Sequence, residues 1–141
     1  MAGVTGPRDR LRGLADKLLR LPEERARLHD QMGAAALKLV ADGYRDERDP
    51  YDVAWSPLLH REGLILRDTG RLSLAWYFVT TATGIELRND VVYAATQHYG
   101  DPARGIPARR QGPNAADGMP ERWGATFQRT AGEWFRSYLT S

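Results

Sequence analysis

The sequence predicts a mainly α-helical single domain with one β-hairpin. Its length of 141 residues suits one domain. Apolar residues recur at helical spacing near both ends of the chain, and a long stretch with strand-like composition lies between them, from Leu58 to Gly84. We therefore expect about five helices and a hairpin at about residues 64–81. We also expect residues 1–7 to fray and residues 101–120 to form a flexible loop rich in Pro, Gly and Arg.

Two helices are predicted before residue 44. In the first, which begins at Arg8, the apolar positions at helical spacing are Leu11, Leu14, Ala15, Leu18, Leu19 and Leu21. Pro22 is typical of the first position of a second helix, and Gly43 is a natural left-handed end. The buried stripe of this second helix is predicted at Leu28, Met32, Ala35, Ala36, Leu39 and Val40. The break at Pro22 predicts a helical hairpin or a bent pair.

The centre of the chain is predicted to hold a loop, a short helix and the hairpin. Residues 44–52 are charged and read as a solvated loop, after which Ser56 and Pro57 begin a helix that ends at Gly63. The hairpin follows as a strand at Leu64–Arg67, a turn at Asp68–Gly70 and a returning strand at Leu72–Thr81. Residues 85–99 suggest another helix, although Val91–Tyr93 could pair as a strand instead.

The last helix, which Pro120 opens, has the strongest apolar pattern. Its aromatic residues on one face include Trp123, Phe127, Trp134 and Tyr138. This face is expected to close the core. The alternative is that the same four side chains form an interface with a second copy of the chain or with a larger protein.

Composition excludes several classes of protein. The chain contains no cysteine, which rules out a disulfide framework, a thiol nucleophile and thiolate metal ligands. No stretch approaches the roughly 20 apolar residues of a membrane span, and we expect a cytoplasmic protein without a membrane partner. Residues 1–28 carry a formal charge of +3, residues 29–100 carry −3 and residues 101–141 carry +2. Because the net charge is only +2, nucleic-acid binding would need a local basic patch.

The stretch from residue 58 to residue 87 resembles the second half of a winged-helix DNA-binding domain. The residues that carry the resemblance are Leu58, Leu59, Gly63-Leu64-Ile65, Arg67, Gly70, Arg71, Val79-Thr80-Thr81, Gly84 and Leu87. It implies a recognition helix followed by a wing, with a role in DNA binding and transcription regulation. The arginines of such a wing meet phosphates or the minor groove.

We therefore predict a non-catalytic regulator or accessory subunit that associates with nucleic acid. Arg67 and Arg71 on the hairpin and Arg104, Arg109 and Arg110 on the loop would contact phosphates. The first alternative is a protein–protein adaptor or scaffold that docks through the aromatic C-terminal helix. The second is a small cytoplasmic enzyme, which would require His29, His60 or His98 to meet acidic residues in one pocket. We expect no cofactor, no metal and no catalytic residue.

Overall fold

The computed structural model describes residues 6–58, 63, 66 and 70–140. In chain order the elements are α1 (Pro7–Asp46), α2 (Arg71–Leu74), β1 (Trp76–Thr80), β2 (Ile85–Asn89), α3 (Ala94–Tyr99) and α4 (Glu121–Thr140). Two 3-10 turns lie between α3 and α4, at Pro102–Arg104 and Ala115–Asp117. The predicted mainly helical fold with one two-stranded hairpin is confirmed, but the α-helices of the described part number four and not five.

The helix α1 runs without interruption through Pro22, so the predicted break there is wrong. Proline lacks the N–H group that would bond the carbonyl of Leu18. Both Pro22 and Leu18 are exposed, so water can solvate that carbonyl. The residues on each side of Pro22 keep the other backbone hydrogen bonds of the helix. The predicted helical hairpin is therefore one helix of 40 residues.

The end of α1 also lies beyond the predicted position. The helix continues past Gly43 to Asp46, and Glu47 adopts the left-handed conformation with φ 53°. The carbonyl of Gly43 accepts hydrogen bonds from the N–H groups of Glu47 and Arg48. A Cβ at residue 43 would lie 3.1 Å from the carbonyl oxygen of Arg48. Glycine thus eases this close approach of the cap, and the left-handed residue is Glu47.

The hairpin is shifted along the chain relative to the prediction. It pairs β1 with β2 in antiparallel register, with Trp76 opposite Asn89 and Thr80 opposite Ile85. The β2 stretch alternates apolar and charged residues, which favours a half-buried strand over the helix predicted at 85–99. Within residues 85–99, only Ala94–Tyr99 form a helix.

The segment before β1 departs from the predicted helix and strand. Ser56, Pro57 and Leu58 have no regular structure, and Leu66 has a positive φ of 60° rather than a strand conformation. Residues 59–62, 64–65 and 67–69 lie outside the described part of the chain. The predicted return strand starts later than Leu72 because Arg71–Leu74 form a helical turn after Gly70. The winged-helix resemblance stays a prediction.

The core forms where the second half of α1 meets the sheet and the start of α4. Its buried apolar residues are Ala36, Leu39, Val40, Tyr44, Trp55, Leu72, Val91, Ala94 and Trp123. The sheet approaches α1 so closely at Gly33 that a Cβ there would overlap the ring of Phe78. Glycine therefore allows the sheet to pack against the helix at that point.

Helix α4 packs antiparallel to α1 and ends beside Lys17. Trp123, near the start of α4, lies in the core with Leu39 and Val40. Near its end, the Tyr138 hydroxyl donates to the carbonyl of Lys17 at 2.6 Å, and Lys17 Nζ donates to the carbonyl of Leu139 at 3.0 Å. Residues 7–16 of α1 extend beyond this contact, and all of them are exposed. None of the helices in the described part has the length and apolar character required to cross a membrane.

Candidate interaction surface

One of the arginines predicted to bind phosphate lies inside the protein. Arg109 is 7% exposed. Its Nε donates to the carbonyl of Ser56 at 2.9 Å and its Nη2 to the carbonyl of Pro57 at 3.1 Å. One of the two acceptors is Ser56, the residue that was predicted to cap a helix. The guanidinium of Arg109 thus fixes the 56–57 segment against the 101–120 segment.

Two further predicted arginines are paired with carboxylates of the same segment. Arg104 Nε lies 2.7 Å from Asp101 Oδ2, and Arg110 Nη1 lies 2.7 Å from Asp117 Oδ2. The guanidinium of Arg104 holds the pKa of Asp101 below its usual value. Exposed pairs of this kind contribute little to stability, but they lower the positive potential that each arginine presents to a phosphate.

The remaining two predicted arginines belong to the predicted hairpin. Arg71 is exposed at the start of α2. Arg67 lies outside the described residues. Of the described arginines in this set, the three from the 101–120 segment are all bound by groups of their own chain.

Hydrogen bonds attach the 101–120 segment to the core. Gln111 is buried, and its Oε1 accepts from the Tyr44 hydroxyl at 3.1 Å. Trp76 Nε1 in turn donates to that hydroxyl at 3.1 Å. Burial raises the pKa of Tyr44 to about 12, and the Trp76 hydrogen bond only partly opposes this shift. Trp55 Nε1 adds a bond of 2.9 Å to the carbonyl of Arg110.

The histidines are not assembled into a catalytic or metal site in the described part of the chain. His98 Nδ1 accepts from the N–H of Gln111 at 3.1 Å, so its Nε2 carries the proton and donates to Asn114 at 2.8 Å. His98 lines a surface cavity of about 260 Å³, and His29 lines a separate one; among the described residues, no Asp or Glu lines either cavity. His60 lies outside the described residues. Those that are described include no group of three or more His, Asp or Glu able to hold a metal ion.

The aromatic face of α4 is used mostly within the chain. Trp123 is 2% exposed, and its ring meets Phe127 edge to face at 6.2 Å. Trp134 and Tyr138 are half-buried and stack at 5.4 Å, while the Tyr138 hydroxyl bonds to α1. Phe135, which was not among the predicted interface residues, is 40% exposed. Trp123, Phe127 and Tyr138 therefore attach α4 to the rest of the fold.

The exposed apolar surface is larger on α1. Leu11, Leu14 and Leu18 are 66%, 43% and 46% exposed. Because residues three and four apart lie on the same side of a helix, these three side chains form one stripe, which we name the leucine face. Leu19, which is 78% exposed, lies to one side of it.

The leucine face is the continuation of the face that α1 turns to the core. Five whole helical turns span about 18 residues, so residues separated by that distance point in the same direction. Leu11 thus points in the same direction as His29, Leu14 in the same direction as Met32, and Leu18 in the same direction as Ala36. Of these later residues, His29 and Ala36 are buried and Met32 is partly buried. Side chains that point in this direction are therefore covered by other elements in the second half of α1 and exposed in the first half.

The sequence contained the signal for the leucine face, because Leu11, Leu14 and Leu18 are among the apolar positions predicted at helical spacing in the first helix. Its leucines have the spacing of any buried helical stripe, and spacing does not show whether another element lies against it. No protein-family model matches the sequence, and neither the curated proteins nor the solved structures contain a significant match to it.

Proposed function

We propose that this chain is a non-catalytic adaptor or scaffold subunit that binds another protein through the leucine face of α1. The observation that carries the proposal is the uncovered continuation of the core-facing side of α1 at Leu11, Leu14 and Leu18. A contiguous apolar stripe at the end of a helix is typical of surfaces that bind other proteins. Contact with a partner would remove these side chains from water, as α4 and the sheet do further along the same helix.

This proposal retains the adaptor alternative and moves its contact surface from α4 to α1. Trp123 lies in the core, and Tyr138 bonds to the backbone of Lys17. Neither side chain is available to a partner without loss of contacts inside the chain. Leu11 and Leu14 lie within residues 7–16, which extend beyond the end of α4, and Leu18 is 46% exposed.

The geometry supports nucleic-acid binding less well. That prediction needs several guanidinium groups to face outward together, whereas Arg109 is buried and Arg104 and Arg110 pair with carboxylates. It stays a prediction for Arg67 and Arg71. A salt titration of DNA and RNA binding tests it, because phosphate contacts make the affinity fall steeply as salt is added.

Site-specific photo-crosslinking in cells of the source organism tests the adaptor function. A photoreactive amino acid in place of Leu14 is expected to form a discrete covalent adduct with a protein. The matched control carries the same group in place of Asp16, which is exposed and points to the opposite side of the same helical turn. It is expected to form no such adduct.

A second variant links the adduct to the leucine face. Adding Leu18→Gln to the Leu14 crosslinker is expected to abolish the adduct while circular dichroism shows unchanged helix content. Equal adduct yields from positions 14 and 16, or an adduct that persists with Leu18→Gln, would refute the proposed function.

A further inference from the structure

Basic residues border the leucine face on both sides, whereas the acidic residues of this segment lie opposite it, together with Arg20. Successive residues of a helix are rotated by about 100°. On this geometry Arg10 and Lys17 border the leucine face on one side and Arg8 borders it on the other. Asp9 and Asp16 point to the opposite side of α1. The apolar stripe therefore has a basic rim, and the acidic residues of this segment lie away from it.

The spacing of the leucines favours a helix as the occupant. Leu11, Leu14 and Leu18 are separated by three and then four residues, which is the pattern of a coiled-coil seam. A seam of this kind accepts the apolar side chains of one partner helix along a narrow stripe. Residues 7–16 of α1, which precede the contact with α4, offer about 15 Å of such a stripe.

The charge of the rim selects the partner helix. Residues flanking a coiled-coil seam set partner choice, and like charges across it are unfavourable. A second copy of this chain would place the basic rim that includes Arg8 and Arg10 against an identical rim. A partner with Asp or Glu beside its apolar stripe would place opposite charges together.

A lipid surface fits the segment less well than a protein helix does. Helices that lie in a membrane interface have a wide apolar face that often includes Trp or Phe, and their polar face is rich in Lys and Arg. Here the apolar side contains neither Trp nor Phe, and the side opposite it holds Asp9 and Asp16 together with Arg20.

We propose that the leucine face binds an acidic amphipathic helix of another protein, with the partner's apolar residues on Leu11, Leu14 and Leu18 and its carboxylates beside Arg8 and Arg10. This inference rests on the proposed adaptor function and adds the chemistry of the partner to it.

Two synthetic peptides test the inference by fluorescence anisotropy on the full chain. Both carry leucine at the a and d positions of three heptads; the acidic one has Glu at the flanking e and g positions and the basic one has Lys. The acidic peptide is expected to bind and the basic one to bind at least about tenfold more weakly at low salt. The double variant Arg8→Glu/Arg10→Glu is expected to reverse this preference, and Leu14→Gln to abolish binding of both peptides.

The possible results separate the chemistry of the partner from the adaptor function. Equal binding of the two peptides that still requires Leu14 would overturn the acidic partner and leave the adaptor function standing. Absence of binding by either peptide would overturn the acidic helix, while the crosslinking at residue 14 decides the adaptor function independently. Leucine-dependent binding to vesicles of phosphatidylcholine and phosphatidylserine, without binding of the acidic peptide, would assign the face to lipid and overturn the acidic helix.

Discussion

Gly33→Ala should destabilise the fold because of one contact between α1 and the sheet. A Cβ at this buried position would lie 2.5 Å from Cγ of Phe78 and closer still to two other ring carbons. Carbon atoms in ordinary contact are about 3.5–4.0 Å apart, so the ring or the helix must move by about 1 Å. Overpacking of this kind costs up to about 3 kcal/mol, from which the better helix propensity of alanine returns about 1 kcal/mol.

The expected net loss for Gly33→Ala is therefore about 2 kcal/mol in the free energy of unfolding, measured by urea denaturation and circular dichroism. Gly13→Ala is the matched control, because Gly13 lies in the same helix and a Cβ there would meet no atom within 4 Å. It should gain up to about 1 kcal/mol. The cost of Gly33→Ala should be much smaller when it is measured in a Phe78→Leu background than in the wild type. The reasoning fails if Gly33→Ala is as stabilising as Gly13→Ala, or if its cost is the same with and without Phe78→Leu.

The remaining predictions concern the groups beneath the 101–120 segment. Because the pKa of Tyr44 is raised to about 12 from 10.0, the folded chain keeps a proton that the unfolded chain loses first. The stability this provides is complete below about pH 10 and falls by about 2–3 kcal/mol as the pH approaches 12; urea denaturation should show the loss between about pH 9 and pH 11.5, and Tyr44→Phe should remove that part of it. Arg109→Met should cost about 2–4 kcal/mol because the carbonyls of Ser56 and Pro57 lose their donors. Arg109→Lys should cost less, since one ammonium can still reach a carbonyl, and equal urea midpoints for wild type and Arg109→Met would contradict this role.

Helical periodicity predicted the fold class because long amphipathic stretches depend on local spacing. The helical character of α1 and α4 was recognised, although α1 was predicted as two helices, and the return strand of the predicted hairpin overlaps β1. The errors fell where two local signals competed. At Pro22 the proline signal was overruled by strong helix formers on each side, and at 85–89 a five-residue strand was read as part of a helix because alternation over so few residues is a weak signal.

The candidate site was predicted less well because it depends on what lies against each side chain. Composition marked Arg104, Arg109 and Arg110 as a basic loop, yet carboxylates and carbonyls close in space bind them. It also marked the α4 aromatics as either core or interface, and Trp123 is in the core. The burial of Arg109 cannot be read from residue type, because its acceptor Ser56 is 53 positions away in the sequence, whereas Arg104–Asp101 and Arg110–Asp117 are local pairs.

The sequence by itself determined the apolar stripes of α1 and α4, the charge of each segment and the absence of any thiol chemistry, since these follow from residue identity and local spacing. Tertiary structure decided which part of each stripe is covered. On one side of α1, Ala36 is buried and Leu18 is exposed, although both side chains point in the same direction. The physical reason is that burial depends on the neighbouring element, and α4 ends beside Lys17.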